Sequence, residues 1–292
     1  MNEFEKRLLH LHTCCDGRSK LVSQIVVNDP DLSDLYHFSI TDFQRVTTST
    51  FRTLNVLYDR LQRSSIDSLL AHFSHQHIVP LIFSHRDYPP LLKEIYDPPF
   101  VIYVKGNITY LHESKSLAVV GTRDPSERSY RLLSQLIPPL CKEGIMVVSG
   151  LALGVDGYAH QLTLQNGGRT IAVLGAGFDH IYPKQHRSLS QGIAQNHLLL
   201  SEYPPHTPPA KWRFPERNRI ISGLTKATFV VEAKKRSGSL ITAYTALEQG
   251  RDVYSLPGPI DDPRTEGCHR LIQEGALCIH DANDIVNEFV LK

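Results

Sequence analysis

The chain has 292 residues, 41% of them apolar and 21% charged, with a formal net charge of +1. That profile is an ordinary globular one, long enough for one large domain and a small one. No run approaches the roughly 18 apolar residues of a membrane span, and Met1-Asn2-Glu3-Phe4-Glu5-Lys6 lacks the basic start and apolar core of a signal peptide. Five cysteines, at 14, 15, 141, 268 and 278 and with no Cys-x-x-Cys pair, fit a reducing cytoplasm better than a disulfide framework.

The first 80 residues read as a small helical domain. Leu8, Leu9, Leu11 and Leu54, Leu57, Leu61 recur at helical spacing, and Gly17 is the only glycine before Gly106. Residues 81–110 form a proline-rich connector that ends in a strand-like run at 100–104. From there to residue 292 the rhythm changes. Short apolar runs at 117–120, 145–148, 170–174, 197–200, 227–231 and 252–256 alternate with helical patterns at 127–141, 155–165, 187–195 and 239–249. Such alternation predicts an α/β fold, a mostly parallel sheet with helices on both faces. Its ligand crevice is expected at the carboxyl ends of the strands.

The residues after the runs fit such a crevice. They are Gly121-Thr122-Arg123, Ser149-Gly150-Leu151-Ala152-Leu153-Gly154, Gly175-Ala176-Gly177, Ser201-Glu202-Tyr203 and, beyond Glu232, Lys234-Lys235-Arg236-Ser237-Gly238-Ser239. Glycines and hydroxyls at strand ends let backbone N–H groups approach anionic oxygens. One such loop is only a tight turn; several converging on one edge point to an anion site. There is no Gly-x4-Gly-Lys-Ser/Thr phosphate loop, and Gly175-Ala176-Gly177 is only half of a dinucleotide fingerprint. Nucleotide-driven chemistry and simple dinucleotide binding both lose ground, and no cofactor is expected. Arg123 is a strand-end cation suited to a phosphate, or to a salt bridge with Asp124 or Glu202.

Residues 211–236 carry eight Lys/Arg against two Glu, and residues 261–292 carry seven Asp/Glu against three Lys/Arg. A basic stripe therefore sits beside an acidic tail. The stripe opens with Lys211-Trp212-Arg213-Phe214-Pro215-Glu216-Arg217-Asn218-Arg219-Ile220-Ile221. Aromatic faces interleaved with cations suit single-stranded nucleic acid. Pro215 predicts a first helical turn with Phe214 extended before it. Arg217 continues the apolar face of Ile220, Ile221 and Leu224 toward the crevice, whereas Arg219 faces more outward. Phe214 has two possible roles, a stacking platform or a hydrophobic staple.

Candidate catalytic groups are sparse. Asp156 and His160, four apart on one helix, make either an acid–base pair or ties to a neighbouring loop. Glu202 and Glu232 make either a carboxylate pair or an ion-pair network. His72-x-x-His75-x-His77 lacks a fourth metal ligand at useful spacing. No catalytic residue and no metal site are assigned.

Together the motifs resemble the DprA/Smf family of DNA-processing proteins. They include Val119-Val120-Gly121-Thr122-Arg123, Ser149-Gly150-Leu151-Ala152-Leu153-Gly154-Val155-Asp156 with His160, Gly168-Arg169-Thr170 through Gly175, and Tyr182-Pro183-Lys184. Further along come Phe214-Pro215-Glu216-Arg217-Asn218-Arg219, Ser237-Gly238-Ser239-Leu240, Leu256-Pro257-Gly258 and Gly267-Cys268-His269-Arg270. The resemblance covers about two-thirds of the chain. It implies an extended Rossmann-like domain in a non-enzymatic protein that binds single-stranded DNA, protects incoming DNA during natural transformation and loads the RecA recombinase, acting as a homodimer away from membranes.

On this resemblance Arg123, Lys184, Lys211, Phe214, Arg217, Asn218 and Arg219 would line the DNA groove. Gly121, Ser149, Gly150, Ser237 and Gly238 would supply backbone contacts. His269, Leu271, Ile272 and Cys278 would lie near the dimer interface. The N-terminal helices resemble the sterile-alpha-motif-like domain of some members, while residues 281–290 are too few for the winged-helix domain that many add. The competing expectation is a nucleotide-processing enzyme of the lysine-decarboxylase-like phosphoribohydrolase type. Its Pro-Gly-Gly-x-Gly-Thr-x-x-Glu loop is missing, and Leu256-Pro257-Gly258-Pro259 is a poor substitute.

Overall fold

Local capping signals start the N-terminal helices. Asn2 and Glu5 form a reciprocal capping box at the head of α1 (Glu3–Cys14), and Ser39 and Asp42 do the same two helices later. Each box satisfies two otherwise orphaned backbone donors. In the computed structural model, which describes residues 1–291, α1 is followed by α2 (Ser19–Asn28), α3 (Ile40–Val46), α4 (Phe51–Arg63) and α5 (Ile66–His75). Leu54, Leu57 and Leu61 form the buried stripe of α4, as their spacing predicts.

The chain then alternates as the apolar runs require. In order come β1 (Val79–Ile82), α6 (Pro90–Lys93), β2 (Val101–Gly106), β3 (Ser116–Val120), α7 (Glu127–Lys142), β4 (Met146–Ser149) and α8 (Val155–Gln165). They are followed by β5 (Thr170–Leu174), α9 (Arg187–Asn196), β6 (Leu198–Ser201), α10 (Arg213–Gly223), β7 (Ala227–Val230) and α11 (Gly238–Glu248). The last elements are β8 (Asp252–Ser255), α12 (Glu266–Gln273), β9 (Leu277–Cys278) and α13 (Ala282–Leu291).

Among the described residues these strands form one sheet of order β1-β2-β6-β5-β4-β3-β7-β8-β9. Seven strands run parallel, from β6 to β9; β1 and β2 add an antiparallel edge. The chain steps outward from β3 through β4 and β5 to β6, then crosses back to β7. The order therefore reverses between β3 and β7, the position at which a parallel sheet opens a ligand crevice. Along β3, Leu117 and Val119 enter the core beneath α7, α8 and α13. Ala118 and Val120 enter the opposite core, beneath α6, α10, α11 and α12.

Two features were not legible as read. The expected boundary at residue 80 cuts through β1, a strand containing Pro80 that none of the apolar runs announces. The structure places it at the sheet edge, where a missing N–H costs no ladder bond. The N-terminal helices also share a core with the sheet: Leu9, Leu11, Phe43 and Phe73 pack with Ile82, Val101 and Tyr103. Buried His12 and Thr13 contact the Tyr103 hydroxyl at 3.1 and 3.0 Å.

Candidate nucleic-acid interface

The loops after β3, β4 and β7 and the start of α10 enclose an open crevice of about 620 Å³ at the switch point. Arg123, Lys211, Arg217, Lys234 and Arg236 line it, against Asp124 and Asp156. Arg123, Lys211, Lys234 and Arg236 are exposed and make no ion pair among the described residues. Four unneutralised cations around a concave surface concentrate positive potential there.

Arg217 forms the floor. It is 4% exposed, and its Nη1 donates to the carbonyl oxygens of Gly150 and Val173 beyond β4 and within β5. Burial lowers its pKa to about 10, against the pull of Asp156, so it stays protonated at neutral pH. Asp156 is held in the same layer, accepting from the N–H of Gly150 (3.1 Å) and Ala152 (3.4 Å). Burial raises its pKa, while Arg217 and these two N–H groups oppose the rise. His160 bonds Thr170 Oγ1 at 2.7 Å, and burial lowers its pKa to about 3. The Asp156–His160 pair therefore ties α8 to its neighbours.

Phe214 forms one wall. Its ring lies against Gly175, 5.5 Å from the Tyr182 ring, with the Arg123 guanidinium 5.8 Å from its centroid. It is neither extended nor a staple ahead of the helix. Helix α10 begins at Arg213, two residues before Pro215, which then sits in the first turn where its missing N–H is harmless. On the opposite wall Ser237 caps α11, accepting from Leu240 N–H at 3.4 Å. Gly238 is exposed at that helix start, and Asn218 Nδ2 donates to its carbonyl at 3.3 Å. The positive end of the α11 dipole thus faces the same space.

Of the residues expected at this site, Gly121, Arg123, Lys211, Phe214, Arg217, Asn218, Ser237 and Gly238 line the crevice. Gly150 lines a smaller hollow with Arg123, Tyr182 and Phe214. Lys184 is exposed just beyond Pro183 of that hollow. Two expectations need correction. Ser149 is fully buried, and its hydroxyl donates to Val119 at 2.7 Å, joining β4 to β3. Arg219 points away from the crevice, on the far flank of α10. It donates twice to Glu202, at 2.7 and 2.8 Å, and pairs with Asp97 at 3.0 Å, because two residues along a helix turn a side chain by about 200°. Glu202, also an acceptor from Ser19 Oγ at 2.6 Å, is thereby neutralised. Glu232 accepts from Ser126 N–H and Oγ, both at 2.8 Å. The two carboxylates belong to separate polar networks.

The residues expected near a dimer interface divide as well. Leu271 is 1% exposed and belongs to the core, the correction that an amphipathic α12 imposes. His269 bonds the Gly258 carbonyl at 2.9 Å. Ile272 and Cys278 are partly exposed. Sequence reasoning passed over Tyr182, whose 51% exposed ring backs Phe214; an aromatic in a proline-containing loop was the available signal.

The chain matches the family described as DNA recombination-mediator protein A over residues 80–290. It is 47% identical to the DNA processing protein DprA of Bacillus subtilis over 220 residues, 75% of this chain and 74% of that one. The X-ray structure of DNA processing protein A from Streptococcus pneumoniae superposes with a TM-score of 0.79 at 37% identity, covering 99% of each chain. DNA processing protein A of Helicobacter pylori, solved to describe the single-stranded DNA binding mode of that protein, superposes with a TM-score of 0.67 at 30% identity. That match covers 73% of this chain and 95% of that one.

Proposed function

The chain belongs to the DNA recombination-mediator protein A family of DNA-processing proteins, and from that premise we propose that its switch-point crevice holds single-stranded DNA. The protein protects an incoming strand and loads a RecA-type recombinase onto it, acting as a homodimer. The observation that carries this reading is the convergence of Arg123, Lys211, Lys234 and Arg236, all without ion pairs, on one concave surface walled by Phe214. Cations placed to meet phosphates supply salt-dependent affinity, and an aromatic wall favours unpaired bases over a stacked duplex. The single-stranded DNA binding mode described for the Helicobacter pylori protein supports the same ligand.

In this reading Arg217, locked onto two carbonyls, shapes the floor and lends its charge, while Arg123 and Lys211 take phosphates. Gly121, Ser237 and Gly238 offer backbone N–H groups. The catalytic alternative would place Glu202 beside the ligand, and Glu202 is held instead by Ser19 and Arg219. The test is a titration of single-stranded against duplex oligonucleotide at two salt concentrations, with Arg123→Glu and Lys211→Glu. Single strands should bind more tightly, salt should weaken binding, and each variant should lower affinity. Equal affinity for both nucleic acids, or unaltered binding by both variants, rejects the assignment.

A further inference from the structure

Trp212 is the only tryptophan of the chain. It is 45% exposed and adjoins Lys211, yet it lies outside the crevice lining. Its position is fixed from beneath. The Arg213 guanidinium is wedged between the Trp212 and Tyr203 rings, 4.9 Å from each centroid, and those rings meet edge to face at 6.4 Å. Arg213 is 4% exposed and donates to the Pro208 carbonyl. A large aromatic ring held this firmly, with nearly half its surface in water, is not accounted for by core packing.

The turn between α1 and α2 closes over the same loop. Gly17 has φ +69°, and a Cβ there would lie 3.0 Å from the Glu202 carbonyl oxygen and 3.2 Å from the Tyr203 ring and Pro204. This close seating brings Arg18 near enough for its charge to be felt at Arg213. Arg18 is exposed and donates to Thr53 Oγ1 at 3.4 Å, with no carboxylate partner among the described residues. The neighbouring acids are engaged elsewhere. Asp16 pairs with Arg60 at 2.7 Å and His206 at 3.1 Å, and Glu216 accepts from the Tyr203 hydroxyl at 3.1 Å. Lys211 of the crevice lining precedes the exposed indole in the chain, Arg213 lies beneath the indole, and Arg18 of the N-terminal helical region is felt at Arg213.

We propose that a single strand leaving the crevice crosses Trp212, which stacks one base, and reaches Arg18, which meets a phosphate. The N-terminal helical region is then a second contact for the same nucleic acid rather than a separate appendage. This inference rests on the crevice holding single-stranded DNA.

Because the chain has one tryptophan, emission excited beyond the tyrosine absorption band reports on Trp212 alone. The full-length protein is titrated with oligothymidylates from about 4 to about 16 nucleotides, the range covered by single-strand-binding domains. Binding is followed in parallel by the anisotropy of labelled oligonucleotide. Quenching should begin only above a threshold length. Trp212→Ala should weaken binding of the long oligonucleotide by about 5-fold or more, the lower bound for a lost base–aromatic stack. Arg18→Glu, which leaves the indole in place and guards against a misfolded Trp212→Ala, should weaken long but not short oligonucleotides. If long oligonucleotides bind with no quenching, or if quenching occurs at every length, the extended path is wrong while the crevice stands. If no oligonucleotide binds, or Arg123→Glu leaves short-oligonucleotide binding intact, the crevice assignment itself has failed.

Discussion

The Arg217 guanidinium fills the space that a side chain at Gly150 would need, and the same group donates to the Gly150 carbonyl. The first strand-end glycine of the β4 loop is thus paired with a cation on α10, more than sixty residues along the chain. Loop and helix are held at one separation, and that separation sets the crevice floor.

Gly150→Ala should therefore act through Arg217. The added methyl displaces the guanidinium from a close-packed layer, and overpacking of this kind costs about 1–3 kcal/mol. Denaturant unfolding should show a lower midpoint, and single-strand affinity should fall because the displaced cation blocks the floor. Unchanged stability together with unchanged affinity would show that the floor relaxes freely.

Arg219 should behave in the opposite way to Arg123. Its partners Glu202 and Asp97 hold it on the far flank of α10, and Glu202 is 1% exposed. Removing one member of a buried pair leaves the other uncompensated, a loss of about 3–5 kcal/mol. Arg219→Ala should lower the unfolding midpoint while the folded fraction keeps its DNA affinity. Replacing Glu202 and Arg219 together by apolar residues should recover much of the loss.

Stability should fall with acidification because of two buried histidines. Burial lowers the pKa of both His12 and His160 to about 3, against about 6.5 in the unfolded chain. Between those values the unfolded state binds more protons, so the stabilisation is complete above pH 6.5 and is lost as pH falls toward 3. Each histidine contributes a slope of about 1.4 kcal/mol per pH unit in that window. Asp156, raised by burial, works in the opposite sense as its carboxyl titrates. Thermal unfolding from pH 8 to pH 5 should show a falling midpoint, and the doubly substituted His12→Asn, His160→Asn protein should show a shallower decline.

The proposed homodimer has an apolar surface suited to it. Leu247 on α11 and Leu277 on the short edge strand β9 are 50% and 39% exposed and border one hollow. Burying such a patch against a second copy removes apolar area from water. Sedimentation should find the unmodified chain dimeric and Leu247→Glu monomeric, with an unchanged unfolding midpoint for the monomer fold. A monomeric unmodified chain places this surface outside any self-association.

Much of the fold was legible because its signals are local. A buried parallel strand requires a short continuous apolar run, and a strand-to-helix turn requires small residues. Both leave marks within a few positions, as at 117–120 followed by Gly121-Thr122. β1 left no such mark, being a four-residue edge strand that holds Pro80, a residue an edge tolerates and a central strand does not. The site was legible in part for the same reason. Arg217 could be directed inward from its spacing to Ile220 and Ile221, whereas Ser149, a small polar residue beside a glycine, carries no local sign that its hydroxyl is spent on Val119.

By itself the sequence determined the alternation of elements, the strand-end glycines and the concentration of cations at 211–236, since each depends on residues close together in the chain. Only the tertiary structure decided which cations remain free. Lys211 and Arg219 are cations of the same basic stretch, but Glu202 and Asp97 reach Arg219, whereas Lys211 makes no ion pair among the described residues. It likewise decided that Leu271 is core and that Trp212 is exposed above a buried Arg213. Ion pairing and burial depend on groups brought together from distant parts of the chain, and no periodicity or spacing records which distant group arrives.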